Sequence, residues 1–294
     1  MPRPGPAAAA ALTSTTIALD ASPVEASLLI TRICLAEHWF DDMATAQEKA
    51  ELWAESYLVY LRRELDAAAQ QSRPVRFALN SSSEYLVQGA CFIEPNDPPD
   101  IQAAKTNRLY YLHHLEWLRG LSPEVFECVC RGVITMIGAT NAHLTPRSGD
   151  QGIDFYGKLQ LRGRLGGVYA LGGVDQRLSV WLIGQAKHYA SIRVATPDLR
   201  ELVGSVELAR TRSFAGSGMG LEELQILACD PVFYLFFTTG EISRDGWDLI
   251  HKTGMIGLNG EMIAAFLADN SIGLNEGDFS AESLNTWAGQ FDRK

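Results

Sequence analysis

Between Ala44 and Gln71 the apolar positions fall at three- and four-residue steps, so Trp53, Tyr57, Tyr60 and Leu61 share one side of a long helix. An aromatic stripe at that spacing reads as core packing. Upstream, "SPVEASLLITRICLAEHWFDD" reads as a helix with Ser22 as N-cap and Pro23 at the first helical position. Downstream, "SRPVRFALNSSSEYLVQGACFIEPNDPPD" is broken by Pro, Asn and Ser and has room for one or two short strands. "IQAAKTNRLYYLHHLEWLRGL" reads as a third helix. Its adjacent His113 and His114 point to different faces, one exposed and one packed, which argues against a metal site.

After Gly120 the pattern changes. "SPEVFECVCRGVITMIGA" is a helix with Ser122 as N-cap and Pro123 following it. A Gly/Asp-rich turn leads into the strand "IDFYGKLQL". The Gly-rich connection "GRLGGVYALGGVDQR" has the composition of a mobile hairpin tip and leads into a buried strand beginning at Val180. "TPDLRELVGSVELAR" is a helix with Thr196 as N-cap. "GSGMG" is a loop that opens no helix straight after a strand, so it fails the dinucleotide-binding context. "DPVFYLFFTTGEIS", "RDGWDLIHKTG", "MIGLNG" and "EMIAAFLAD" then alternate strand, helix, strand, helix. That order predicts an α/β fold with one sheet and helices on its faces, preceded by a mainly helical region.

Composition changes this picture little. The chain has 294 residues, 47% hydrophobic and 20% charged, with no run apolar enough to span a bilayer. Residues 1–22 start "MPRPGPAAAAALTSTT", which lacks the charged start and long apolar stretch of a signal peptide and is expected to be a disordered tail. Five scattered cysteines do not make a disulfide framework and fit small buried side chains in a cytoplasmic protein.

Charge changes it more. The net charge of −10 argues mildly against a nucleic-acid partner, but it is uneven. From Thr145 to Phe214 there are ten Lys/Arg against six Asp/Glu, so a polyanion would bind in that middle segment.

The candidate chemistry sits there too. In "VWLIGQAKHYA" an apolar strand ends by placing Gln185 and Lys187 two apart, hence on one face. In "SGDQGIDFYGKLQL", Gly149 and Gly152 permit a tight turn and Asp154 opens the neighbouring strand. If the two strands pair, Asp154, Gln185 and Lys187 converge at one sheet end. Such a group suits phosphodiester hydrolysis. A hard cation such as Mg²⁺ takes a carboxylate and a neutral carbonyl oxygen. An ammonium beside it orients the attacking water and stabilises the phosphorane. Asp150 reads as a turn residue before a metal ligand.

The blocks "TPRSGDQGIDFYGKL", "VWLIGQAKHY", "TPDLRELVGSVELAR", "FFTTGEIS" and "MIGLNGEMIAAFLAD" occur in an order that resembles the Mrr-like branch of the PD-(D/E)xK nuclease superfamily, over about residues 122–269. The resemblance implies a restriction-endonuclease-like mixed sheet flanked by helices. It implies that Asp154 is the metal-binding aspartate, Gln185 the ligand-position glutamine of a QxK half-motif and Lys187 the catalytic lysine. The resemblance also implies a metal-ligating glutamate on the first helix, a place that Glu127 in "VFECV" takes; an ordinary helix-surface carboxylate is the alternative.

The expected function is then a Mg²⁺-dependent DNA endonuclease, with Mn²⁺ able to substitute, in restriction-type defence against foreign DNA. A repair nuclease acting on ends or junctions and an inactive DNA-binding module are the alternatives. Arg200 on the following helix is a candidate phosphate contact, as is His188, for which packing is the alternative. A homodimer is expected, since cutting both strands of a duplex commonly uses two sites. The expected boundaries are a tail at 1–22, a helical domain of unassigned role at 23–119, the nuclease domain at 120–270 and a C-terminal tail at 271–294. Residues 23–119 do not read as the winged helix that precedes some Mrr-like domains.

Overall fold

The computed structural model describes residues 3–146, 152–161, 178–189, 192–213 and 223–293. The expected roles of Asp150, Gly149, the Gly-rich connection and "GSGMG" lie outside these. The chain divides into two units, Met1–Tyr111 and Leu112–Lys294, so the division falls before the expected boundary at 119/120.

The first unit contains α1 (Pro6–Thr16), β1 (Val24–Glu25), α2 (Ala26–Ala36), α3 (Met43–Gln70), β2 (Phe77–Asn80), β3 (Ser83–Gly89) and α4 (Pro99–Arg108). The N-terminal stretch is helical where a disordered tail was expected. Alanine is the best helix former, Pro6 starts the helix, and Ala9, Ala10 and Thr13 are buried. The Thr13 hydroxyl lies 2.7 Å from that of buried Tyr57 on α3. Ser22 does not cap α2. Val24 and Glu25 instead pair with Val87 and Leu86 of β3, which delays the helix to Ala26. The stripe of α3 splits as packing requires: Tyr57 and Leu61 enter a core with Ile30, Ile33, Phe77 and Val87, while Tyr60 stays exposed.

The third expected helix is two, α4 and α5 (Tyr111–Arg119), separated at Leu109 and Tyr110. His114 is buried with Nε2 2.7 Å from the Ile272 carbonyl, and His113 is exposed.

The rest of the second unit is α6 (Pro123–Ile137), β4 (Ala139–Leu144), β5 (Phe155–Gln160), β6 (Ser179–Lys187), α7 (Thr196–Arg210), β7 (Val232–Thr238), α8 (Arg244–Thr253), β8 (Ile256–Leu258), α9 (Gly260–Asp269), β9 (Leu274–Asn275), β10 (Asp278–Phe279) and α10 (Ala281–Gly289). The sheet order is β4-β5-β6-β7-β8. The first two pairings are antiparallel and the last two parallel, so the sheet is mixed. Parallel strands need crossovers, which α7 and α8 supply. On one face Tyr156, Trp181, Ile183 and Phe236 pack under Leu199, Leu202 and Val206 of α7 and Ile250 of α8. On the other face Phe155 meets Phe237, and Gly157 lies under Ile134 of α6.

Two local expectations are corrected. Thr196 is the first residue of α7 rather than its cap; Ala195 precedes it, and the Asp198 carboxylate accepts the Ala195 N–H at 3.1 Å. Residues 271–294 are not a tail. Glu276 and Gly277, at φ of 53° and 94°, turn the β9–β10 hairpin, and Leu284 and Ala288 of α10 are buried. Among the described residues no helix is long and apolar enough to cross a membrane.

Candidate active site

The register of β5 and β6 builds the site. Phe155 pairs with Gly184, and the Asp154 N–H donates to the Gly184 carbonyl at 2.9 Å, which sets Asp154 opposite Gln185 one step beyond the last ladder pair. Residues directly opposite share a face, and Lys187 follows Gln185 by two. Antiparallel pairing puts the start of β5 beside the end of β6, so all three side chains come to one sheet end, on the face that α7 covers. This is the carboxyl end of β6, where parallel strands meet their crossover helices and ligands commonly bind.

Glycines permit the close geometry. A Cβ at Gly184 would stand 2.1 Å from the Phe155 ring, so only glycine lets the two strands pair there. Gly152 has a φ of 79°, and a Cβ there would lie 2.6 Å from the Ser205 hydroxyl of α7. The turn entering β5 is thus pressed against α7. Thr145 fastens it from the other side: its N–H donates to the Asp154 carbonyl at 3.0 Å and its hydroxyl to the Ile153 carbonyl at 2.6 Å.

The electrostatics are specific. Asp154 is 8% exposed, and its Oδ2 accepts the Ala186 N–H at 2.6 Å, which ties the carboxylate to the QxK segment itself. Gln185 is 1% exposed, and among the described residues its Oε1 has no hydrogen-bond partner. Lys187 reaches Glu201 of α7 at 3.9 Å. Cys130 of α6 is wholly buried. Burial first, then the charges of Asp154 and Glu127, hold its thiol well above the ordinary cysteine range, so it is no nucleophile at neutral pH.

Glu127 lies on α6 and is ion-paired to Arg293. His188 is turned to packing: its Nε2 is 3.3 Å from the Leu118 carbonyl and its ring meets Phe126 edge-on. Tyr189, next to it, reaches Asp198 with its hydroxyl at 3.4 Å. Arg200 is exposed on α7.

Sequence reasoning missed Glu201, Thr145 and Arg293. Asp198 and Glu201 at i, i+3 mark one face of α7, but nothing local says that this face meets Lys187. The contacts of Thr145 are made to backbone carbonyls, which leave no mark on residue type, and Arg293 meets Glu127 from 166 residues away in the chain.

Among the described residues no three His, Cys, Asp or Glu side chains converge as a metal-binding group. The chemistry that is present suits a hard cation all the same. It offers one carboxylate and one neutral carbonyl oxygen as cross-strand neighbours, and the carbonyl oxygen lacks a donor.

A mixed five-stranded sheet flanked by helices thus carries an acid, an amide and a lysine at one end. Residues 118–214 match the Mrr_cat family, described as restriction endonuclease. No curated protein matches the chain. Among solved structures, MspJI restriction endonuclease in complex with a 27-mer oligonucleotide is 16% identical, with a TM-score of 0.40 over 68% of this chain and 40% of that one. The DNA modification-dependent restriction endonuclease AspBHI is 14% identical, with a TM-score of 0.36 over 72% of this chain and 46% of its own. The restriction endonuclease FokI bound to DNA is 14% identical, with a TM-score of 0.34 over 88% of this chain and 45% of its own. The chain therefore spans less than half the length of each.

Proposed function

We propose that residues 112–294 are a divalent-metal-dependent DNA endonuclease acting in restriction-type defence in the cytoplasm. The observation that carries this is the buried Gln185 Oε1, without a donor among the described residues, set across from the Asp154 carboxylate at the strand end that bears Lys187. An orphaned buried carbonyl costs about 1–3 kcal/mol, which a ligand at that oxygen would recover. The match of residues 118–214 to a restriction endonuclease family supports the same class of reaction.

The roles divide by chemistry. Asp154 and Gln185 would hold Mg²⁺ or Mn²⁺, with Glu127 as a further carboxylate. When bound, the cation supplies the charge that acidifies water and clamps the scissile phosphate. Lys187 orients the attacking water and offsets the charge that grows on the phosphate oxygens. Glu201, 3.9 Å from the ammonium, sets the direction in which the lysine points. Arg200, exposed on α7, contacts the DNA backbone.

Supercoiled plasmid tests the reading. The protein is expected to nick or linearise it with Mg²⁺ or Mn²⁺ and to be silent in EDTA. Cleavage of linear DNA alone would favour an end-dependent nuclease, and undiminished cleavage in EDTA would remove the metal from the mechanism.

A further inference from the structure

The C-terminal segment is built onto the candidate site. Leu284 and Ala288 of α10 are buried, and the Trp287 ring lies against Gly132 in α6. Arg131 of α6 then holds the chain beyond the helix, donating from Nη1 to the carbonyls of Phe291 at 3.1 Å and Asp292 at 2.9 Å. This delivers Arg293 to one place. Its Nη2 is hydrogen-bonded and ion-paired to Glu127 Oε2, and its Nε donates to the Thr145 carbonyl at 3.0 Å. Thr145 is the residue whose own N–H and hydroxyl fasten the backbone of Asp154 and Ile153. The Arg293 and Glu127 side chains are only 24% and 19% exposed.

We propose that Arg293 is a built-in counter-ion that competes with the divalent cation for Glu127, an inference that rests on Asp154, Gln185 and Glu127 forming the metal site. A part-buried carboxylate requires a compensating charge. A guanidinium supplies it at every accessible pH. The two cations cannot both take the same carboxylate oxygen, and the guanidinium repels an incoming divalent ion. The position of the ligands does not depend on Arg293. Arg131 and Trp287 hold the segment, and Thr145 holds the Asp154 backbone. Removing the guanidinium therefore unmasks Glu127 and leaves the rest of the site in place.

The test is calorimetric titration of the full chain with Mn²⁺, which needs no turnover. Arg293→Ala and Arg293→Gln are each compared with the parent, with and without Glu127→Gln; Arg293→Gln retains a donor for the Thr145 carbonyl, and thermal melts check that each variant folds. Both single variants are expected to bind Mn²⁺ roughly fivefold to twentyfold more tightly, and the gain should vanish when Glu127→Gln is added. Binding unchanged or weakened in both Arg293 variants overturns the competition, as does a gain that survives Glu127→Gln. If no form shows Mn²⁺ binding that Asp154→Ala removes, the metal site itself is wrong and the competition falls with it.

Discussion

Gln185 is the residue where structure and chemistry press hardest on each other. A buried amide oxygen with no donor among the described residues invites a cation, yet a neutral amide exerts less field than a carboxylate. Gln185→Glu places a second buried carboxylate across from Asp154. Without metal the like charges should lower the melting temperature, and Mn²⁺ should raise it further than in the parent. An equal Mn²⁺ response in both proteins would make Gln185 an ordinary strand-end amide. Gly152 gives a second residue-scale expectation. Gly152→Ala meets both the positive φ and the Ser205 hydroxyl, so it should cost roughly 1–3 kcal/mol and displace Asp154. Wild-type melting and wild-type cleavage in that variant would show that the turn has slack.

Elements were legible wherever pattern alone decides them. The apolar run of β6 and the three-and-four spacing of α3 could be read directly, and Ser122 caps α6 as expected, with its hydroxyl accepting the Val125 N–H. What could not be read was set by distant partners. Pairing with β3 turned Val24 and Glu25 into a strand, and burial against α3 made a helix of an alanine-rich segment that composition marks as a tail. α10 is the same case, since only the groove beside Gly132 explains Trp287.

The α1–α3 contact carries a pH expectation. Burial raises the Tyr57 phenol from its ordinary 10 to about 12, so its neutral form is the one the fold favours. The folded pKa is the higher one. The contribution is therefore fully present below pH 10 and is lost as the pH rises through 12. That loss amounts to roughly 2–3 kcal/mol. Tyr57→Phe should lower stability at neutral pH by about 1 kcal/mol and flatten the alkaline decline, read by circular dichroism of the full chain. A decline equally steep in the variant would assign it to other groups.

At the scale of the whole molecule, charge is arranged against the average. The chain stands at −10, yet residues 145–214 carry ten basic side chains against six acidic ones and contain the start of β5, the end of β6 and all of α7. If that segment binds DNA as proposed, its neutralisation of the DNA phosphates should make the affinity fall steeply with salt. Arg200→Ala should weaken binding to all sequences alike and reduce the slope of log affinity against log salt by about 1. An unchanged slope would place the DNA elsewhere. The central claim is that Asp154, Gln185 and Lys187 are one hydrolytic site. Its most direct test pairs single-turnover plasmid cleavage with DNA binding in Lys187→Met, which retains the aliphatic stem and deletes the charge. The expected result is cleavage reduced by about 10²–10³-fold or more with DNA affinity nearly intact; near-normal cleavage in that variant would contradict the site.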